Sequence, residues 1–182
     1  ISFLRWPMLT QLVRLMSTAI SKTECRNQWI SIIRNQASNF FLNLQFSFLN
    51  CLSFELLHSY LAFLYKLLYF DDELVSRLVD LEQIDICSAL LTAAKQIVSN
   101  EDEDSYESID HFWLILHLIT VINDDYCREK MNKESRNEIS QLFAKYIEYS
   151  FGDNCDFIIS SNHRAASLAS ALSIIGQLMT EN

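Results

Sequence analysis

Apolar residues recur at three- and four-residue spacing along nearly the whole chain, which is the period of a helix and not of a strand. Residues 3–18 carry Phe3, Leu4, Met8, Leu12, Leu15 and Met16. Residues 26–34 carry Trp29, Ile30, Ile32 and Ile33, and 37–52 carry Phe41, Leu44, Phe48 and Leu52. Leu57, Leu61, Leu64 and Leu68 form the stripe of a helix over 54–69. Shorter helices are predicted over 72–80 and 84–99, then further ones over 108–122, 124–131, 135–150 and 163–180. The run 100–107 has no apolar face and is predicted to be a solvated loop. Ser135 with Glu138 has the spacing of a capping box, and Gly152 falls where a helix C-cap is wanted. The acid pairs Asp71/Asp72 and Asp124/Asp125 sit where helices begin, so helix capping is their expected role.

The helices also repeat. Phe70-Asp71-Asp72 and Asn123-Asp124-Asp125 lie 53 residues apart, and at the same offset His58 meets His111 and Leu61 meets Leu114. Ile86–Leu91 likewise meets Ile139–Ala144, and a further long helix around Ala171–Met179 follows. The unit is a short, a medium and a long helix. An irregular first unit covers 1–70, and repeat-like units cover 71–122 and 123–180, all within one helical domain. Leu114, Leu116, Leu118 and Val121 around Trp113 make one helix nearly all apolar, which is the mark of a helix buried in a larger body. Units that are apolar on more than one face must stack on neighbours.

This order resembles the armadillo and HEAT-type solenoids. The resemblance rests on the helix order, on the long-helix endings Leu67-Leu68-Tyr69-Phe70-Asp71-Asp72 and Thr120-Val121-Ile122-Asn123-Asp124-Asp125, and on Arg128 after the second. It covers about residues 54–182. The spacing of 53 exceeds the usual range of about 40–47 residues, which the run 100–107 and a loop over 151–162 would explain. The glycine that often separates the first two helices of an armadillo unit is absent. The resemblance implies an all-α fold of armadillo/HEAT-like stacked helical repeats; an irregular helical bundle is the alternative. It also implies that the third helices line a concave surface. The candidate protein-binding groove would then comprise Glu55, His58, Ser59, Lys66, Asp110, His111, His117, Ser167, Ser170, Ser173 and Gln177.

Composition narrows the function classes. The 182 residues hold two glycines and one proline, and half of them are hydrophobic. Glycine-loop chemistry (P-loops, dinucleotide fingerprints, nucleophile elbows) has almost nothing to be built from. Net charge is −9, distributed as +4 over 1–53 and −13 over 54–182. An acidic body repels phosphate backbones, so duplex nucleic acid is disfavoured as a ligand, and a basic or amphipathic protein segment is the expected partner. The basic N-terminal stretch could itself dock on an acidic surface. Residues 35–54 hold no charge, but amides and serines interrupt them, so a core helix is expected there and not a membrane span.

Five cysteines, Cys25, Cys51, Cys87, Cys127 and Cys155, are separated by 26, 36, 40 and 28 residues. Their spacing gives no zinc motif and fits thiols in a reducing, intracellular compartment, nucleus or cytoplasm. The chain begins at Ile1, as a piece of a longer protein would, and no secretory signal pattern is evident.

Candidate chemistry is sparse. His111 and His117 are six apart and do not share a helix face, and no HExxH occurs. Asp110 beside His111 points elsewhere on a helix. Cys127 has Arg128 next to it, but Asp124 and Asp125 oppose activation of its thiol. No catalytic residue, metal or cofactor is expected. Ser99, followed by Asp102, and Ser105 are candidate regulatory sites for acid-directed phosphorylation. The expected function is a non-catalytic helical-repeat scaffold that binds another protein or packs within a larger complex. The alternative is a helical oligomerisation domain that self-associates through the Phe-rich segment 40–54.

Overall fold

The computed structural model describes residues 5–51, 53–99, 103–151 and 162–180. Phe3, Leu4, Leu52, Gly152, Cys155 and most of the 151–162 loop lie outside the described residues. Ten helices run through the described ones: α1 (Arg5–Ser21), α2 (Thr23–Asn35), α3 (Ala37–Asn50), α4 (Phe54–Tyr69), α5 (Asp72–Asp80), α6 (Ile86–Val98), α7 (Glu103–Ile122), α8 (Tyr126–Glu129), α9 (Lys133–Phe151) and α10 (Asn162–Thr180). No strand occurs among them, and the fold is all-α. No helix among them is long and apolar enough to cross a membrane.

Local chemistry explains most boundaries. Ser53 caps α4 by accepting from the amide of Leu56. Asp71 caps α5, its carboxylate accepting from the Glu73 amide at 3.1 Å. Three expectations need correcting. First, α7 begins at Glu103 and not at residue 108, so most of the acidic run is helical. An acidic first turn meets the positive end of the helix dipole, which stabilises it without any apolar spacing. Second, the Ser135/Glu138 pair is not a capping box. Asn132 takes the cap by accepting from the Ser135 amide at 2.8 Å, and Glu138 instead pairs with Lys95 at 2.5 Å. Third, α8 is only four residues long. Its entry is held by Asn123, which accepts from the Asp125 amide, while Asp125 pairs with Arg128.

The chain divides into two compact units, residues 1–93 and 94–182, with the boundary inside α6. In the first unit α1 packs on α4 and α2, and α5 packs on α3 and α4. Leu57, Leu61, Leu64 and Leu68, the predicted stripe of α4, are fully buried with Leu56 and Leu67. Burying each leucine contributes about 1.5–3 kcal/mol. Phe48 meets Tyr60 edge-on, and Phe40 meets Phe63 the same way, locking α3 to α4. Arg14 pairs with Glu55, and Lys66 donates to Ser21. Both contacts advance in the same direction along the two helices, so α1 and α4 run parallel.

In the second unit α10 lies along α7 and also touches α8 and α9. Trp113, Phe112, Ile115, Leu116 and Ile119 of α7 are fully buried, whereas Val121, placed in that core by its sequence, is exposed near the helix end. Trp113 packs against Phe143 and Tyr146 of α9. Asp110, early in α7, bonds Arg164, early in α10. Cys127, just past α7, donates to Gln177 near the end of α10. The two long helices are therefore parallel, as in the first unit. This unit holds most of the negative charge, with fifteen Asp/Glu against seven Lys/Arg.

Candidate functional site

The Phe-rich helix α3 has two apolar faces. Phe41, Leu44 and Phe48 are buried, as expected of core. Leu42, Phe46 and Leu49, at i, i+4 and i+7, form a second stripe that faces outward, and Phe46 is 68% exposed. Asn39, Asn43 and Asn50 flank this stripe, and α3 carries no charge at all. A second outward stripe lies on α1, where Met8 (72% exposed), Leu12 and Leu15 repeat the same spacing. Single exposed leucines are ordinary on a surface, but aligned stripes of large apolar side chains mark places where another surface is accommodated.

The groove residues divide between the units. Glu55, His58, Ser59 and Lys66 belong to the first. Glu55 and Lys66 are engaged by Arg14 and Ser21 of α1. Ser59 is buried and donates to the Glu55 carbonyl, and His58 is half-buried. In the second unit Ser173 is exposed, Ser170 is buried, and Gln177 accepts from the Cys127 thiol. His117 is half-buried, and its Nδ1 has no hydrogen-bond partner among the described residues. Ser99 is exposed and donates back to the Lys95 carbonyl. Ser105 lies in helical backbone, its side chain outside the described ones.

Asp110 is the centre of a buried polar cluster that its sequence context did not announce. Its carboxylate accepts from Tyr146 at 2.7 Å and from Arg164 Nε at 2.8 Å. Ser167 shares a hydrogen bond with the Tyr146 hydroxyl at 2.9 Å and reaches the Asp110 carbonyl at 3.4 Å. His163 sits at the rim, with Nδ1 3.8 Å from the carboxylate, and its ring lies 5.1 Å from that of His111. Burial pushes the Asp110 carboxyl above its ordinary range, against the lowering effect of Tyr146 and Arg164. Burial and the adjacent carboxylate push the Tyr146 hydroxyl up as well, keeping it a donor. Sequence reasoning missed Arg164 and Tyr146. One signal was available: Arg164 stands in register with Ser167, Ala171, Ile174 and Leu178, the buried face of α10. The cluster ties α7, α9 and α10 together, and its members satisfy one another.

Two concavities lie among the described residues. One, between α6 and α9, measures about 200 Å³ and is lined by Lys95, Ser99, Glu138 and Lys145. That is below the roughly 300–1,000 Å³ of small-molecule sites. A second, in the first unit, measures about 480 Å³ and is open and polar, but its charges answer one another: Arg34 binds Asp71 and Glu73, and Arg77 binds Glu73. Among the described residues no group of three His, Cys, Asp or Glu side chains could hold a metal ion.

These helices belong to a known family. The family model described as SAAL1 C-terminal domain matches residues 40–182. The chain belongs to the SAAL1 C-terminal domain family. No curated protein and no solved structure matches it. The SAAL1 C-terminal match takes in the α3 outer stripe and the Asp110 cluster, while α1 and α2 precede it.

Proposed function

We propose that this SAAL1 C-terminal domain is a non-catalytic scaffold, built as an armadillo/HEAT-like stack, that binds another protein through outward apolar faces of its helices. The observation that carries the reading is the second face of α3, where Leu42, Phe46 and Leu49 form an uncharged apolar stripe with an amide rim. Aromatic anchors with a polar rim are the usual energetic centre of a protein interface. The stacked-repeat arrangement is supported by the recurrence, within each unit, of two parallel long helices separated in sequence by two others: α1 with α4, and α7 with α10. A reducing intracellular setting is supported by Cys25, Cys51, Cys87 and Cys127, which are thiols. The partner is an amphipathic protein segment. The acidic second unit favours basic groups on whatever contacts it.

Phe46→Glu tests this reading. The residue is exposed, so stability should change by about 0.5 kcal/mol or less. A protein retained stoichiometrically by the wild-type domain should be lost from Phe46→Glu. An unchanged set of retained proteins would remove the α3 face from the account. The same stripe also suits the second reading, self-association of the domain, which would appear as a dimer that Phe46→Glu dissociates.

A further inference from the structure

Ser99 stands exposed just past the end of α6, its hydroxyl donating to the Lys95 carbonyl at 2.7 Å. It borders the concavity of about 200 Å³ between α6 and α9. Two lysines line the same concavity: Lys95, one turn earlier on α6, and Lys145 on α9. A spacing of four residues puts Lys95 and Ser99 on one helix face. The acid in this lining is Glu138, which reaches Lys95 at 2.5 Å. Lys145 is exposed and forms no ion pair among the described residues. Two lysines against one acid leave the lining net positive, inside a unit that is otherwise strongly negative. The space is small for an organic ligand, but a phosphate needs only a few times the roughly 30 Å³ that a water occupies.

The sequence that follows Ser99 supplies an address. Glu101, Asp102, Glu103 and Asp104 occupy the second to fifth positions after it, and no other serine or threonine of the chain is followed so closely by four acids. Ser105 comes after this run and not before it. A kinase with a basic substrate groove reads such a run by charge complementarity.

We infer that Ser99 is a phosphorylation site whose phosphate is held by Lys95 and Lys145. The γ-phosphoryl group of a nucleoside triphosphate passes to the Ser99 oxygen. A P–O bond to that oxygen forms, the bond to the nucleoside diphosphate breaks, and the hydroxyl proton leaves to the base of the kinase. The phosphate brings a charge of about −1.5 to −2 and three acceptor oxygens. The helix dipole opposes a phosphate at a C-terminus, so α6 alone would not favour it. Lys145 supplies the compensating charge from the facing helix, and Lys95 exchanges Glu138 for the phosphate. The Lys95–Glu138 contact between α6 and α9 thus gives way to a phosphate bridging Lys95 and Lys145. This inference goes beyond the scaffold reading and does not depend on it.

The test treats the domain, Ser99→Ala and Lys145→Met with a purified acid-directed serine kinase, ATP and Mg²⁺. Both substituted side chains are exposed, so both variants should melt close to the wild type. Mass spectrometry should find a phosphate on Ser99 of the wild type and of Lys145→Met, and none gained by Ser99→Ala. In a ³¹P NMR titration the phosphoserine of the domain should have its midpoint about 0.5 pH units below that of a phosphopeptide spanning 97–105, which keeps the acids and lacks both lysines. Lys145→Met should move that midpoint most of the way back to the peptide value. As much phosphate on Ser99→Ala as on the wild type, or none on either, would overturn the site. A midpoint at or above the peptide value, or one that Lys145→Met leaves unmoved, would overturn the capture by lysines.

Discussion

Arg164, only 2% exposed, donates from Nε to Asp110 Oδ2 at 2.8 Å across 54 residues of chain. The contact joins the first turns of α10 to the early part of α7, and Tyr146 completes it from α9. A buried guanidinium needs its acid: alone it would stand desolvated and uncompensated.

Breaking this pair by one side should therefore be severe. Asp110→Leu or Arg164→Met should each cost about 3–5 kcal/mol in urea-induced unfolding. The double substitution Asp110→Leu with Arg164→Met should cost clearly less than the sum, because it leaves no stranded charge. Additive losses would mean that the two residues act independently.

The pH response of Asp110 follows from its burial. Its carboxyl titrates above the ordinary value of 3.8. Between that value and the raised one, the folded chain keeps a proton that the unfolded chain has released. The contribution of this group to stability is therefore largest below the window and falls as pH rises through it. A carboxyl NMR titration should place the Asp110 midpoint above 3.8. Tyr146→Phe removes a donor to the ionised form and should move the midpoint higher still. A midpoint at or below the ordinary value would contradict the assignment.

Asp71 has two duties in the first unit. It caps α5, and it accepts from Arg34 Nε and Nη2 at 2.7 and 2.6 Å while almost wholly buried. Hydrogen bonding to Asp71 raises the already high pKa of Arg34. Asp71→Ala loses both the cap and a charged double hydrogen bond, at a cost of about 2–4 kcal/mol by thermal or chemical unfolding. Asp72→Ala, exposed and beside it, should cost under about 1 kcal/mol.

Gly176 is the reverse case. It sits inside α10, and a Cβ added there would meet nothing within 4 Å. Gly176→Ala should stabilise the fold by about 0.5–1 kcal/mol, because alanine loses less backbone entropy in a helix. A raised melting temperature would agree, and a lowered one would indicate that the position is not regular helix.

The architecture was legible where apolar spacing and a terminal cap coincide. The leucine stripe 57/61/64/68, followed by Asp71, sets α4 and α5 at the predicted residues. Periodicity is blind to helix without an apolar face, which is why the acidic start of α7 at Glu103 read as loop. The Ser135/Glu138 spacing misled because Asn132, three residues earlier, had the better geometry for the cap. The Asp110 cluster was illegible from neighbours in sequence. Asp110 was weighed against adjacent His111, while its partners stand 36 and 54 residues away. The outward stripe of α3 was half legible: composition shows that 40–54 is Phe-rich with no charge before Glu55, but only packing tells which apolar positions are covered.

Light scattering of the reduced domain, with Phe46→Glu alongside, puts the central claim most directly at risk. The account predicts a monomer of 21.2 kDa for both proteins, with the α3 face held open for a different protein. A wild-type dimer that Phe46→Glu converts to monomer would contradict it and make that face a self-interface.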